Sequence, residues 1–249
     1  MERTQRRRAH APGAGAGRDT RLLGRLSVRQ WGREINRETN VAGLEEGLAG
    51  LIGAPNSEVG RSFAVLAENL EALRQSTGSV VVTGPESGVG RTTVCLGLGV
   101  ALAAAGRSVA IVDCNLDQPR LHRRFNRPNF TGLTSALEGG GSLDDYGFDV
   151  APNLRIIPTG PVLPGPWGLP GSSKFAGAVR TLQETRDVVL LDAPAAEEVL
   201  AARTLWGSFD GVLLVVHATR TPKGVARRFT DALLDARMEL LGVVLNGHV

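Results

Sequence analysis

A glycine-rich stretch, residues 84–93 (GPESGVGRTT), has the residue types that bind phosphate. It follows a short apolar run and precedes a helical pattern, so consecutive backbone N–H groups and a helix N-terminus can face one anion. A basic residue and two hydroxyls come at its end, in the order typical of a P-loop. The predicted phosphate-binding residues are Ser87, Gly88, Val89, Gly90, Arg91, Thr92 and Thr93. A purely structural turn is the alternative interpretation.

Two carboxylates come at the ends of other apolar runs. Asp113 closes VAIVD and Asp192 closes VVLLD. In a parallel sheet both side chains lie beside the phosphate loop, where one can orient a nucleophile and the other can hold Mg²⁺ through its water shell. We therefore predict Arg91, Asp113 and Asp192 as catalytic residues, and Thr92, Asp113 and Asp192 as the metal site. Helix capping is the alternative for an Asp at a strand end.

These residues need parallel strands that end at one edge of a sheet, and the chain from Ser57 onward has that pattern. Short runs of Val, Ile and Leu alternate with helical periodicity, which is typical of parallel strands joined by right-handed crossovers. The predicted strands are Ser79–Thr83, Ser108–Asp113, Leu154–Pro158, Asp187–Asp192, Gly211–His217 and Leu241–Asn246. The predicted helices are Ser57–Gln75, Arg91–Ala105, Lys174–Glu184, Ala196–Leu205 and Pro222–Met238. The predicted fold class is α/β, a doubly wound and mostly parallel sheet.

The N-terminal residues differ in composition from the rest. Residues 1–40 carry ten Arg against four acidic residues, whereas the whole chain has a net charge of only +3. A basic stretch punctuated by Gly, Ala and Pro buries too little apolar area to order itself. We predict a basic, largely disordered arm over 1–50, with a short helix within Arg21–Asn40, and a P-loop nucleotide-binding domain over 51–249. The arm is either a solubilising tail or a contact for an anionic membrane surface, nucleic acid or an acidic partner.

Composition and length exclude several classes of protein. The 249 residues are 42% hydrophobic and 21% charged, which is typical of a globular domain. Apolar runs stay below the length of about 18 residues that a membrane span needs, and the charged N-terminus lacks the apolar segment of a secretory signal. Cys95 and Cys114 are the only cysteines, which excludes a disulfide framework and a cysteine-rich zinc site. We expect a cytoplasmic protein.

Several blocks of the sequence resemble one family in content and order. Beside the phosphate loop they are VAIVDCNLDQPRLHRRFN (109–126), GL (132–133), LEG (137–139), NLRIIPTG (153–160), DVVLLDAP (187–194) and GVVLN (242–246). They resemble the ParA/MinD-like P-loop ATPases, and within them the bacterial tyrosine kinases (BY-kinases) and chain-length regulators of capsule and exopolysaccharide export. The resemblance implies ATP or ADP and Mg²⁺ as cofactors, with Asn246 near the nucleotide base. It also implies a membrane chain-length partner, a polysaccharide co-polymerase.

The chain departs from the family pattern at positions that matter for catalysis. Arg91 replaces the Lys of the phosphate loop, and Glu86 stands where the superfamily has a second Lys. In the second motif, Asn115 and Asp117 replace an acidic and a basic residue. A guanidinium prefers bidentate pairing, whereas the Lys ammonium is a compact charge that reaches the terminal phosphates. These departures favour nucleotide binding with slowed phosphoryl transfer.

Two further features of the kinase branch are missing. Arg61, Ala64 and Ala67 occupy the positions of the Glu and two Arg that build a ring of subunits in the family. Tyr146 is the only tyrosine, so the C-terminal tyrosine cluster of the kinases is absent. We therefore expect a monomer or a nucleotide-dependent dimer that does not phosphorylate its own tail.

Three functions are consistent with these residues. The leading hypothesis is an ATP-binding protein of the polysaccharide-export tyrosine-kinase type, which regulates assembly through ATP hydrolysis or phosphoryl transfer. The alternatives are a degenerate regulatory subunit that binds nucleotide without turnover, and a ParA/MinD-like positioning ATPase. We expect the protein at the inner face of the membrane if the arm binds lipid, and we do not expect nucleic acid as a partner.

Overall fold

The structure, a computed structural model, describes the backbone of residues 22–26 and the residues 57–73, 78–161 and 173–247. The predicted disordered arm lies outside the described residues except for 22–26. There the predicted helix is wrong, because Leu22–Leu26 is a strand. It pairs in parallel with the strand that ends at Asn246, so the sheet includes a segment that precedes residue 51.

The described residues form an eight-stranded sheet. Its strands are β1 (Leu22–Leu26), β2 (Gly78–Gly84), β3 (Val109–Asp113), β4 (Phe148–Ala151), β5 (Leu154–Ile157), β6 (Val188–Ala195), β7 (Gly211–His217) and β8 (Leu240–Asn246). Their order across the sheet is β1-β8-β7-β2-β6-β3-β5-β4. Neighbouring strands are parallel, apart from β4, which runs antiparallel to β5 at the edge.

Helices cover both faces of this sheet. They are α1 (Glu58–Leu73), α2 (Arg91–Ala104), α3 (Leu121–Arg124), α4 (Leu133–Gly139), α5 (Ser173–Gln183), α6 (Ala196–Ala201), α7 (Arg203–Trp206) and α8 (Lys223–Asp235), with a 3₁₀ turn at Leu143–Tyr146. Along β2, Val80 and Val82 pack in the same core as α1 and α2, whereas Val81 packs with helices of the opposite face. This burial on two faces explains the nearly continuous apolar strands. The predicted fold class is confirmed.

The predicted strands and helices are present with bounds shifted by a few residues, and two details differ. The predicted helix Ala196–Leu205 is two short helices, because the backbone leaves the helical conformation at Ala202 (φ −106°, ψ 34°). The short strand β4 and the short helices α3 and α4 are absent from the predicted elements, since four to seven residues are too few to show a clear periodicity. Within the described ranges, each helix is too short or too polar to span a membrane.

The sheet order decides where the chemistry lies. β2 lies between β6 and β7, β3 follows β6, and β8 follows β7. Because these five strands are parallel, their carboxyl ends meet at one edge, which is where ligands bind in doubly wound sheets.

Candidate functional site

The phosphate loop connects β2 to α2. Gly88 and Gly90 have φ of +80° and +99°, a left-handed backbone that glycine adopts without strain. Val89 between them packs its side chain in the core, so only its backbone faces the site. Ser87 is exposed and Thr93 is half-buried. The loop opens a helix of 14 residues, whose first N–H groups have no intrahelical acceptor and are available to an anion.

Thr92 and Asp192 are joined by a hydrogen bond. Thr92 Oγ1 donates to Asp192 Oδ2 at 2.7 Å. The pairing of β2 with β6 brings this carboxylate beside the start of α2. Asp192 is only 2% exposed, so its contacts are set by the protein rather than by bulk water. Two of the three predicted metal-site residues therefore lie together.

Asp113 lies next to Asp192 on the neighbouring strand. The two are Cα partners in the parallel pairing of β3 with β6. Asp113 accepts backbone N–H bonds from Asn115 at 3.2 Å and from Arg120 and Leu121 at 3.0 Å each. These bonds fix the turn that leads into α3, whose N-cap residue is Arg120 and not Asp113. Burial raises the pKa of Asp113 to about 6, although the three N–H bonds oppose the shift.

The two carboxylates affect each other's ionisation. Burial, and then the nearby charge of Asp113, raise the pKa of Asp192 to about 7. Such a pair holds either a proton or a cation near neutral pH. The described residues contain no group of three or more His, Cys, Asp or Glu side chains placed around one metal position. A cation here needs further oxygen ligands from Thr92, water or a phosphate, which is how Mg²⁺ binds beside nucleotides.

Arg91 occupies the first position of α2 and is 9% exposed. Its Nη1 atom is buried and has no hydrogen-bond partner. Burial lowers the pKa of the guanidinium, and the charge of Asp192 acts in the opposite direction. A buried cationic donor without an acceptor costs free energy. An anion bound in the loop would remove this cost.

Asn246 at the end of β8 supports the phosphate loop from the other side. Its Nδ2 donates to the Val89 carbonyl at 2.7 Å, and its Oδ1 is buried without a partner. A Cβ atom built on Gly90 would lie 1.9 Å from Asn246 Nδ2. The absence of a side chain at Gly90 therefore makes room for the Asn246 amide. The contact of Asn246 with a nucleotide base stays a prediction.

The turn after β7 also contacts the phosphate loop, and the sequence analysis missed it. Arg220 donates from Nη2 to the carbonyl of Gly88. Thr221 donates from Oγ1 to Glu86 Oε1 at 3.4 Å. The pairing of β2 with β7 brings the turn and the loop together. A basic residue three positions after the predicted strand Gly211–His217 was the signal that could have identified Arg220.

The second motif keeps its shape despite its replacements. Asn115 Oδ1 accepts the N–H of Gln118 at 3.3 Å, so this side chain shapes the turn after β3. Arg120 lies close enough to favour the ionised forms of Asp113 and Asp192. Burial and the charge of Arg120 lower the pKa of Arg124, one turn further along. Of the basic residues after β3, Arg120 thus lies near the carboxylate pair.

The positions that form the family's ring differ in exposure. Arg61 and Ala64 lie on the exposed face of α1, whereas Ala67 is 4% exposed and packs in the core. Tyr146 donates from its hydroxyl to the Gly140 carbonyl at 2.8 Å. Neither α1 nor Tyr146 belongs to the cluster around the phosphate loop.

Comparison with known proteins agrees with the P-loop geometry of this site. A family model described as cellulose biosynthesis protein BcsQ matches residues 78–228, which is more than half of the chain. Tyrosine-protein kinase YwqD of Bacillus subtilis (strain 168) is 28% identical over 196 residues, covering 78% of this chain and 83% of YwqD.

Solved structures are similar over most of the fold. The chimerical protein CapA2B2 is 28% identical, with a TM-score of 0.75 over 92% of this chain and 95% of its own. The septum site-determining protein MinD from Pyrococcus horikoshii OT3, complexed with Mg-ADP, is 24% identical, with a TM-score of 0.54 over 67% of this chain and 69% of its own. At that identity the likeness to MinD shows the fold alone. The resemblance to bacterial tyrosine kinases is confirmed, and the fold is that of MinD.

Proposed function

The chain belongs to the family described as cellulose biosynthesis protein BcsQ, and from that premise we propose that it is an ATP-binding P-loop protein of the tyrosine-kinase type that regulates polysaccharide assembly. Relatives named as tyrosine-protein kinases support the kinase-type assignment. ATP or ADP with Mg²⁺ is the ligand, and phosphoryl transfer to water or to a protein hydroxyl is the reaction class.

The buried Arg91 Nη1 atom is the observation that carries this proposal. It belongs to the first residue of α2, where the phosphate loop ends, and it lacks an acceptor. A terminal phosphate provides the acceptor oxygens and the negative charge that this position needs. A turn that only connected a strand to a helix would not require a buried guanidinium.

The residues around Arg91 divide the remaining tasks. Thr92 and the carboxylates Asp192 and Asp113 would hold Mg²⁺, which neutralises charge on the phosphates when it is bound. Asp113, supported by three backbone N–H bonds, also orients the attacking water or hydroxyl. The helix N-terminus and the N–H groups of residues 88–93 bind the phosphate oxygens.

Arg91 also supports a second candidate function, a regulatory subunit that binds nucleotide without turnover. Its guanidinium is planar and held by burial, so it follows a migrating phosphoryl charge less closely than a Lys ammonium would. We favour slow turnover over none, because Thr92, Asp113 and Asp192 keep the arrangement that the chemistry requires. A positioning ATPase on the membrane is a third candidate, supported by the basic composition of residues 1–40.

The partner and the location follow from the same assignment. The proposed partner is a membrane chain-length protein, because the family to which the chain belongs is described by the biosynthesis of a polysaccharide, cellulose. The protein acts in the cytoplasm at the inner face of the membrane, where the basic arm meets anionic lipid. It is a monomer or a nucleotide-dependent dimer in solution.

Turnover by the isolated protein tests this function. Wild type incubated with ATP-Mg²⁺ should form ADP slowly, and Asp113→Asn should reduce the rate by about tenfold or more. Asp231→Asn is the matched control, because Asp231 is an exposed carboxylate on α8, and it should leave the rate unchanged. Nucleotide binding without any ADP formation would favour the regulatory subunit. Equal rates for wild type and Asp113→Asn would contradict the role given to Asp113.

A further inference from the structure

The turn that follows β7 contacts the phosphate loop at two of its residues. Thr221 Oγ1 contacts Glu86, and Arg220 contacts Gly88. The turn is closed internally, since His217 N–H donates to Thr221 Oγ1 and Thr221 N–H donates to the His217 carbonyl, both at 3.0 Å. These two hydrogen bonds fix the shape of the turn, and the turn holds Arg220 beside the loop.

The guanidinium of Arg220 lies along the loop at Gly88. A Cβ atom built on Gly88 would be 3.8 Å from Arg220 Nη1, while Nη2 donates to the Gly88 carbonyl. This one bond uses one of the five N–H donors that a guanidinium has. Within the described residues Arg220 has no carboxylate partner in an ion pair. Most of its donors are thus available to a ligand beside Gly88.

The charges around the loop indicate that a second cationic side chain beside Gly88 would stabilise a bound phosphate. The loop itself carries Glu86, and Arg91 is its one basic residue. A nucleoside diphosphate or triphosphate brings several negative charges into the cradle, and Arg91 is the one cationic side chain of the loop that meets them. A second guanidinium would offset the charge of Glu86 and form charge-assisted bonds to phosphate oxygens.

We propose that Arg220 is a further phosphate-binding residue of this site, which supplies from the end of β7 the second positive charge that the loop lacks. This inference rests on the proposed nucleotide-binding function. Arg220 keeps its bond to the Gly88 carbonyl through Nη2 and offers its other donors to the phosphates. The competing explanation is that Arg220 only fastens the turn to the loop.

Calorimetric titration of the full chain with ADP-Mg²⁺ separates the two explanations. Arg220→Gln keeps a donor for the Gly88 carbonyl but removes the charge, whereas Arg220→Lys keeps the charge. We expect the Kd for ADP to rise about tenfold in Arg220→Ala and Arg220→Gln, and to stay within about threefold of wild type in Arg220→Lys. Arg227→Ala is the control, because Arg227 is exposed on α8 and pairs only with Asp231 among the described residues; it should bind like wild type.

The outcomes distinguish this inference from the function on which it rests. If Arg220→Gln binds ADP-Mg²⁺ as tightly as wild type, Arg220 is a fastener and the inference is wrong. Equal or tighter binding by Arg220→Ala also overturns it. If wild type itself does not bind ADP-Mg²⁺, the proposed function fails and the inference fails with it. The comparison of Gln with Lys is decisive even if the Ala variant is unstable, since both side chains are long and polar at an exposed position.

Discussion

Thr92 Oγ1 donates to Asp192 Oδ2 across 2.7 Å, which joins the first turn of α2 to β6. The hydroxyl and the carboxylate are 100 residues apart in the chain, and the pairing of β2 with β6 places them together. Both oxygens are ligands that Mg²⁺ accepts. The bond therefore holds two candidate ligands together beside the phosphate loop.

Substitution of Arg91 tests whether an Arg at this position slows phosphoryl transfer. Arg91→Lys should raise the rate of ADP formation by about tenfold, because a compact ammonium follows the charge on the migrating phosphoryl group better than a fixed guanidinium. Steady-state ADP production measures this effect. Arg107→Lys is the control, since Arg107 pairs with Glu71 at the surface, beyond the end of α2 that is opposite the loop. A fall in rate on Arg91→Lys would show that Arg91 itself takes part in catalysis.

The carboxylate pair predicts how stability depends on pH. The pKa of Asp192 is raised to about 7 in the folded protein, against about 3.9 in an unfolded chain. The folded protein therefore binds this proton more tightly than the unfolded chain does. The resulting contribution to the free energy of unfolding is fully present below the pKa of the unfolded chain, about 3.9, and is lost as the pH rises to about 7. Asp192→Asn should remove this loss of unfolding free energy in the protein without nucleotide, because Asn does not ionise.

The measurement is the free energy of unfolding of both proteins at pH 5 and pH 7.5. The advantage of Asp192→Asn over wild type should grow by about 2 kcal/mol between these values. Asp231→Asn, an exposed carboxylate on α8, should show no such growth. An advantage that stays the same at both pH values would mean that the pKa of Asp192 is not raised in the folded protein.

Assembly provides an independent prediction. Ala67 is buried in the core, and Arg61 and Ala64 lack the charge pattern of the family's ring, so we expect a monomer or a nucleotide-bridged dimer. Tyr146 is bonded to the Gly140 carbonyl, and we expect no tyrosine phosphate after incubation with ATP-Mg²⁺. Light scattering and mass spectrometry check the two parts. An octamer-sized particle, or phosphate on Tyr146, would restore the autokinase interpretation.

The sequence predicted the parts of the site that follow from strand ends. Asp113 and Asp192 were identified because each closes an apolar run, and a parallel sheet puts such ends at one edge. The loop at Gly88 and Gly90 was identified from its glycines, because few other residues adopt its backbone.

Contacts that depend on the order of strands could not be predicted in the same way. Arg220 reaches Gly88 only because β7 is the neighbour of β2, and no local pattern encodes that order. The amide of Asn246 at Val89 depends on β8 in the same manner. At Leu22–Leu26 the apolar residues fitted a helix, but pairing with β8 made them a strand, which is a tertiary contact overriding a local preference.

The most direct test of nucleotide binding in the phosphate loop is calorimetric titration of wild type and Gly90→Val with ADP-Mg²⁺. A Val side chain at Gly90 would collide with the Asn246 amide, 1.9 Å from its Cβ, and would need an unfavourable φ of +99°. Gly177→Val is the control, because a Cβ at Gly177 on α5 meets no atom within 4 Å. We predict that wild type and Gly177→Val bind one ADP per chain and that Gly90→Val binds none. Equal binding by wild type and Gly90→Val, or no binding by wild type, would contradict the assignment of the loop.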